Sequence, residues 1–399
     1  MRVLFHYTHK QTLGHTTRSV SLCNALLHHK ADLLILQGGV PQPFIHFPKG
    51  ARVLDIPSPF DDRRSFQTLP AAVSAAQRAQ FILKVAEEFK PDVFVTEFFP
   101  FGRMAYMSEL LPTLRALRKK GARIIASIGY PFLAELNRLE DQKQMDLQQA
   151  LFTFYDKFLI HTPKNFENPY IKKCIPLPAL AKLYTRVIKD LEKKIVYTGY
   201  VCPEKIMTGG DQLPTFKKST NIIVVSRGGG AVYPKLITAA IDAQRQLDST
   251  YQTIIACGPT TTEAEMKLFK SCIKSQDKNR IHLVSHLDNL DDYLSQCRVS
   301  VSLSGYNTSV QLMRHGTPSV IVPYRNTLAK VSTSDQVARA ELLQKKFQST
   351  ILDYETLTEH SLFDAIKKQI SQPRPKAAPL SWFKGADSAA QFIVEGTLG

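Results

Sequence analysis

The chain has 399 residues, so two domains are expected at about 150 residues each. Its 44% hydrophobic and 22% charged residues supply large cores and exclude a disordered chain, and no apolar run approaches the ~20 residues that span a bilayer. The formal charge of +16 comes from dispersed lysines and arginines without a nucleic-acid-binding motif. Nucleic acid is therefore set aside as a partner, while an anionic membrane surface, a lipid-linked substrate or a plain solvated basic surface stays open.

The N-terminus, MRVLFHY, enters a strand-like pattern directly and lacks the features of a signal peptide, which predicts a cytoplasmic protein. The inner face of the membrane stays open as its place of work. RVLFHY (2–7) reads as a strand and residues 16–28 as a helix. ADLLILQ (31–37) and ARVLDI (51–56) follow as strands. A helix over 70–89, the strand PDVFVTE (91–97), a helix over 104–120 and the strands ARIIASI (122–128) and DKFLIH (156–161) continue the alternation. KKIVYTGYV (193–201) looks like the last strand of this half. Residues 202–219, with Pro, Gly-Gly and Pro and no periodicity, read as a linker. The alternation restarts over 220–372, with strands near 221–226, 253–258, 280–285, 299–304 and 319–323 and helices between them. Residues 373–399 form a proline-rich strap and a final helix, expected to pack back on the first domain.

Strands separated by helices imply α/β architecture: two doubly wound, Rossmann-like parallel sheets. Two such domains on one linker are expected to face each other across a cleft. Ligands of open parallel sheets sit beyond the carboxyl ends of the strands, so the loops after strands carry the chemistry. Six scattered cysteines without a CxxC pair suggest neither a zinc site nor a disulfide framework.

Strand NIIVVS ends in Arg227-Gly228-Gly229-Gly230 and runs into a helix. Successive glycines let the backbone approach a ligand, and a helix start offers free N–H groups to a diphosphate. A tight strand–helix turn is the plain alternative. Ser304-Gly305-Tyr306-Asn307-Thr308 repeats this logic, with Gln311 one turn into the helix. Here ordinary N-capping is the alternative. In the first half, HKQTLGHTTRS (9–19) follows the first strand and holds Gly14, His15 and Arg18. His15, near a helix start, would favour neutral imidazole and could bind an acceptor or act as a base. Glu97 ends its strand and could deprotonate a hydroxyl, or serve as a capped or salt-bridged carboxylate. Gly129-Tyr130 is another loop after a strand. His6 and His9 lack metal spacing and read as structural or surface residues.

Residues 285–344 resemble the donor domain of GT-B glycosyltransferases, in particular relatives of the peptidoglycan lipid-intermediate GlcNAc-transferase. The pattern is carried by Ser302, Ser304, Gly305, Thr308, Gln311, Gly316, Pro318, Pro323, Asp335 and Gln336. The Gly-Tyr-Asn-Thr run at 305–308, the Gly14-His15-x-x-Arg18 loop and EFFPFGRMAYMSELLPTL (97–114) are more similar to an uncharacterised branch of such enzymes. The resemblance implies a nucleotide-sugar donor, most simply a UDP-sugar, and inversion at C1. It places Asp335 and Gln336 at the sugar hydroxyls, and the strand end 284–287, with His286, beside the base. Such families carry Glu where this chain has Gln311. Glutamine accepts through its carbonyl but lacks charge, so weaker donor binding or another nucleotide is implied.

The function expected is therefore transfer of a hexose or N-acetylhexosamine from a nucleotide sugar to an acceptor hydroxyl. Backbone N–H groups and Arg227 would stabilise the leaving diphosphate. No Asp-x-Asp motif falls in a suitable loop, so no metal and no further cofactor are expected. A UDP-sugar 2-epimerase and a non-catalytic nucleotide-sugar binder are the rival readings. The acceptor is not readable; a lipid-linked molecule or an anionic glycan stays open, with 115–123 and Arg63-Arg64 as candidate basic surfaces.

Overall fold

The computed structural model describes residues 1–8, 13–39, 45–56, 74–130, 142–164, 166–175, 178–202, 210, 213, 221–229, 232–325 and 335–398. The chain divides into two compact units. One comprises Met1–Gln11, His15–Ile206 and Ser381–Gly399; the other comprises Thr12–Gly14 and Met207–Leu380.

The first unit is built on seven parallel strands: β1 (Arg2–Thr8), β2 (Asp32–Gly38), β3 (Arg52–Asp55), β4 (Val93–Glu97), β5 (Arg123–Ile128), β6 (Lys157–Ile160) and β7 (Ile195–Tyr197). Their order is β3-β2-β1-β4-β5-β6-β7. Both faces of the central strands are covered, which is why they read as unbroken apolar runs: Val3, Leu4 and Phe5 are all fully buried. The helices are α1 (Gly14–His28), α2 (Ala75–Phe89), α3 (Met107–Lys119), α4 (Gln142–Phe152), α5 (Asn168–Cys174) and α6 (Pro178–Asp190). Helix α2 starts later than the expected residue 70, because Ser74 caps it in a reciprocal box with Gln77.

The second unit repeats the plan with β8 (Asn221–Ser226), β9 (Tyr251–Ala256), β10 (Ile281–Val284), β11 (Val299–Ser302), β12 (Ser319–Ile321) and β13 (Thr350–Ile351). The sheet order is β10-β9-β8-β11-β12-β13, again all parallel. Its helices are α7 (Pro234–Gln246), α8 (Glu263–Ser271), α9 (Leu290–Gln296), α10 (Tyr306–His315), α11 (Asp335–Phe347) and α12 (Glu359–Ser371).

The strap and final helix divide between the two units. Residues up to Leu380 stay with the second unit, where Ala378 N–H donates to Met313 O at 2.9 Å and Arg374 Nη2 donates to Ser295 O at 2.7 Å. Only α13 (Gly385–Glu395) and its flanks return to the first unit. There Ala389, Ala390, Phe392 and Ile393 share a core cluster with Val3, Phe5, Leu22 and Leu26. Arg123 Nη2 fastens the helix by donating to Ile393 O at 2.7 Å. Ile393 is fully buried, so Ile393→Ala should destabilise the first unit by about 2–4 kcal/mol through lost burial and a residual cavity. Chemical denaturation read by tryptophan fluorescence checks this, because Trp382 sits just before α13.

Candidate active site

In each sheet the strand order reverses once, and this is where open parallel sheets bind ligands. In the first unit the reversal lies between β1 and β4. His15 stands in the first turn of α1, the helix that follows β1, and Glu97 is the last residue of β4. His15 Nδ1 lies 2.9 Å from both carboxylate oxygens of Glu97. A ring nitrogen facing an ionised carboxylate carries the hydrogen and donates it, which leaves the lone pair on Nε2. Arg18, one turn further along α1, donates from Nη2 to Glu97 Oε1. Its guanidinium lies against Gly129; a Cβ there would stand 2.3 Å from Arg18 Cζ. The Gly129-Tyr130 loop is thus shaped by an arginine rather than by a charged residue of its own.

Burial sets the electrostatics. The Glu97 side chain is 1% exposed and that of His15 23%. Burial alone would raise the Glu97 pKa, but His15 and Arg18 beside it, with Arg103 further off, bring it down to about 2. Burial also lowers the His15 pKa, and Arg103 and Arg18 act in the same direction, against the pull of Glu97. The cluster therefore holds a neutral imidazole against an ionised carboxylate and a guanidinium. The ring of Phe98 backs the imidazole, with 5.5 Å between centroids. His161 belongs to a closed network instead, 2.8 Å from both Ser127 Oγ and Thr198 Oγ1, and burial lowers its pKa to about 3. His6 is buried in β1 with its pKa lowered to about 4, while His9 lies outside the described residues.

In the second unit the reversal lies between β8 and β11, and both glycine loops sit there. Gly228 has φ +74°, a left-handed backbone suited to glycine, with open space where a Cβ would stand. Thr260 Oγ1 donates to Gly229 O at 3.1 Å, which holds the loop from β9. Gly230 lies outside the described residues. Gly305 has an ordinary φ of −59° and nothing within 4 Å of a built Cβ, so neither backbone nor packing requires a glycine there. No side chain caps the helix it opens, α10.

Arg227 corrects the expectation that it faces the diphosphate. Its side chain is fully buried, donates to Cys257 O and to Thr261 Oγ1, and lies over the Phe269 ring at 5.3 Å. It ties β8 to the chain after β9. The structure does bring Asp335 and Gln336 to the β11 loop: Ser304 Oγ donates to Gln336 O at 2.6 Å and Ser304 O accepts from Arg339 Nε at 2.8 Å. Asp335 pairs with Arg339, and Gln336 Oε1 accepts from Tyr324 N–H at 3.1 Å. Tyr306 is buried, while Asn307 and Thr308 are half-buried in the first turn of α10. Gln311 is 7% exposed and lies beside Asp291, which accepts from His315 Nε2 at 3.0 Å. His286 is buried, with Nε2 3.4 Å from Asp288 Oδ1. Asp291 and Arg103 were not legible as site residues: each becomes notable only through its neighbours in space. Among the described residues, no three His, Cys, Asp or Glu side chains are grouped to hold a metal ion, and no helix is long and apolar enough to cross a membrane.

Two doubly wound parallel units with glycine loops at the strand-order reversal define the GT-B class of glycosyltransferase fold. Residues 221–391 match the Glycosyltransferase family 28 C-terminal domain. The chain is 22% identical over 356 residues to an uncharacterized glycosyltransferase of Methanosarcina mazei, covering 87% of this chain and 84% of that one. It is 24% identical over 200 residues to a Clostridium novyi UDP-N-acetylglucosamine–N-acetylmuramyl-(pentapeptide) pyrophosphoryl-undecaprenol N-acetylglucosamine transferase, covering 49% of this chain and 51% of that one. The crystal structure of the glycotransferase of kitacinnamycin superposes with a TM-score of 0.63 at 14% identity, covering 98% of both chains. The chain is a glycosyltransferase, and the stretch similar to the family 28 C-terminal domain runs from β8 through the second unit into α13.

The Glu97 carboxyl, near 2 when folded against 4.5 ordinarily, contributes about 3 kcal/mol of stability that is complete above pH 4.5 and lost as pH falls toward 2. The stability advantage of the natural chain over Glu97→Gln should therefore shrink with acidification across that window. Urea denaturation of both proteins at a series of pH values measures it.

Proposed function

We propose that the protein transfers a sugar from a nucleotide sugar, a UDP-sugar in the simplest case, to an acceptor hydroxyl, with His15 as general base. One observation carries this: an imidazole whose Nδ1 lies 2.9 Å from both oxygens of a buried carboxylate and whose remaining exposure leaves Nε2 for an incoming proton. Glu97 is the orienting partner, not the base. Its carboxylate is buried, paired with Arg18 and acidified, so it holds a proton poorly. It fixes the tautomer and stabilises the imidazolium that forms.

The acceptor O–H gives its proton to His15 Nε2 as the oxygen attacks C1 of the donor. The bond from C1 to the nucleoside diphosphate breaks, and the diphosphate leaves with the electron pair. A single displacement of this kind inverts C1. With Arg227 turned inward, the diphosphate charge falls to the N–H groups of the Gly228 loop and of the α10 start at Gly305. No residue in this scheme calls for a metal. Gln311, beside Asp291, would offer its amide oxygen to ribose hydroxyls in place of a glutamate. Asp335 keeps 41% of its side chain exposed, beside Gln336, for the sugar. A cytoplasmic place of work and an acceptor carried on a lipid or an anionic glycan fit the basic chain.

The donor site is tested by thermal shift with UDP, GDP, dTDP and ADP. A diphosphate at a hundred times its dissociation constant should add about 2.7 kcal/mol, and Gly305→Trp should remove the response while staying folded. No response to any of them would remove the nucleotide-sugar reading and leave a non-catalytic relic. A new sugar nucleotide formed without acceptor would indicate an epimerase.

His15→Ala should lower kcat by about 10²–10⁴ while leaving nucleotide binding intact. Because the His15 pKa is lowered from 6.5, transfer should be independent of pH near neutrality and decline on acidification only below that value. Steady-state kinetics across pH check both; a decline beginning above pH 6.5 contradicts this base.

A further inference from the structure

We propose that Arg103 forms a preformed anion site beside His15 and that the acceptor carries a phosphate or carboxylate group next to its reacting hydroxyl. This rests on the transfer reading above and names the substrate class of its acceptor side.

The loop from Phe98 to Arg103 joins Glu97 to the short turn Met104–Tyr106, and it is fixed at many points. Phe98 N–H donates to Ser127 O at 2.8 Å, Gly102 N–H to Phe98 O at 3.0 Å, and Thr96 Oγ1 to Phe99 O at 2.9 Å. Gln148 Nε2 donates to Pro100 O at 2.7 Å, and Phe99 and Phe101 are buried. The loop begins and ends on a non-glycine residue in the left-handed region, Phe98 at φ +62° and Arg103 at φ +65°. Strain of this kind persists where the surroundings over-determine it, and it gathers at functional sites. Here the first strained residue sets its ring against His15 and the second supplies a guanidinium.

That guanidinium makes no hydrogen bond or ion pair among the described residues, and its Nε is buried without an acceptor. Several other arginines of this unit have partners. Arg18 has Glu97, Arg78 has Glu109, Arg118 has Asp156, and Arg123 has the carbonyl of Ile393. A buried donor left without a partner costs stability, so an unpartnered one in a rigid loop is suited to an acceptor group from outside. Arg103 acts electrostatically on both His15 and Glu97, which places it in their neighbourhood. Two arginines against one carboxylate leave a net positive charge around a neutral imidazole. A guanidinium fork suits phosphate and carboxylate oxygens, and an anion held there would also favour the imidazolium formed during transfer.

The test titrates inorganic phosphate into the full chain, with and without saturating UDP, and follows the His15 imidazole by NMR. The natural chain should show a saturable shift of His15. Arg103→Gly, which suits the left-handed backbone and should fold normally, should weaken phosphate binding at least about tenfold, and Arg103→Lys should weaken it less. Both variants should keep the thermal response to UDP. An Arg103→Gly protein that binds phosphate like the natural chain, or a His15 that ignores phosphate, overturns the proposal. A phosphate response without a UDP response leaves the anion site standing and removes the transfer reading. Hexose phosphate and a short isoprenyl phosphate then distinguish a soluble from a lipid-borne source, by which of the two shifts His15 at lower concentration.

Discussion

The buried carboxylate of Glu97 is the constraint around which the first unit's chemistry is arranged. A carboxylate with 1% exposure survives only if its charge is answered, and the fold answers it from one side with a helix. Residues three apart on α1 lie on one face, so His15 and Arg18 reach the same oxygens. The bulk of Arg18 in turn demands a strand end without a Cβ, and Gly129 supplies it. One ionised group at the end of β4 thus specifies the start of α1 and the loop after β5. The chemical consequence follows directly: a carboxylate this well paired is a weak base, and under the proposed transfer the imidazole it holds takes that role.

The two units solve the same topological problem with different chemistry. Each reverses strand order beside its first strand, at β1/β4 and at β8/β11, and each puts its functional loops there. The first unit fills the reversal with titratable side chains. The second fills it with glycines and an uncapped helix start. Backbone N–H groups need no counterion and no proton, so they suit a leaving group whose charge must be met at the moment of bond cleavage. Side chains that titrate suit the partner that must give up a proton. The division of labour in the proposed transfer would then follow residue types as well as position.

Much of this was legible in the sequence. The alternation of apolar runs and helical faces gave the parallel α/β plan, because fully covered strands are apolar throughout. His15, Glu97 and Arg18 were visible as polar residues at strand ends and helix starts. What the sequence could not show is direction. Arg227 follows a strand and precedes glycines, as a diphosphate ligand would. Yet the carbonyl of Cys257, the Thr261 hydroxyl and the Phe269 ring, 30 to 42 residues further on, draw it inward. Gln311 was likewise readable as a helix residue facing a ligand, but not as the neighbour of Asp291. The helix expected over 70–89 begins at Ala75, after the Ser74 cap. Strand β13 has only two residues, too few for any periodicity to register.

The contrast between Arg227 and Arg103 shows how the fold allots its cations. Both follow strands; Arg227 is fully buried, while Arg103 is half-buried with its Nε out of reach of water. Arg227 is satisfied by groups of its own unit, and its loss would loosen strand ends. Arg103 is offered no such groups, although the loop that carries it is anchored on both sides and bends through two unfavourable backbone angles to present it. A chain that needed Arg103 only for stability would gain by pairing it or by relaxing that loop. Rigidity without internal satisfaction is the pattern expected of a group whose partner arrives from outside. It also bears on the proposed base: the positive charges of Arg103 and Arg18 that discourage protonation of His15 are the ones an incoming anion would neutralise.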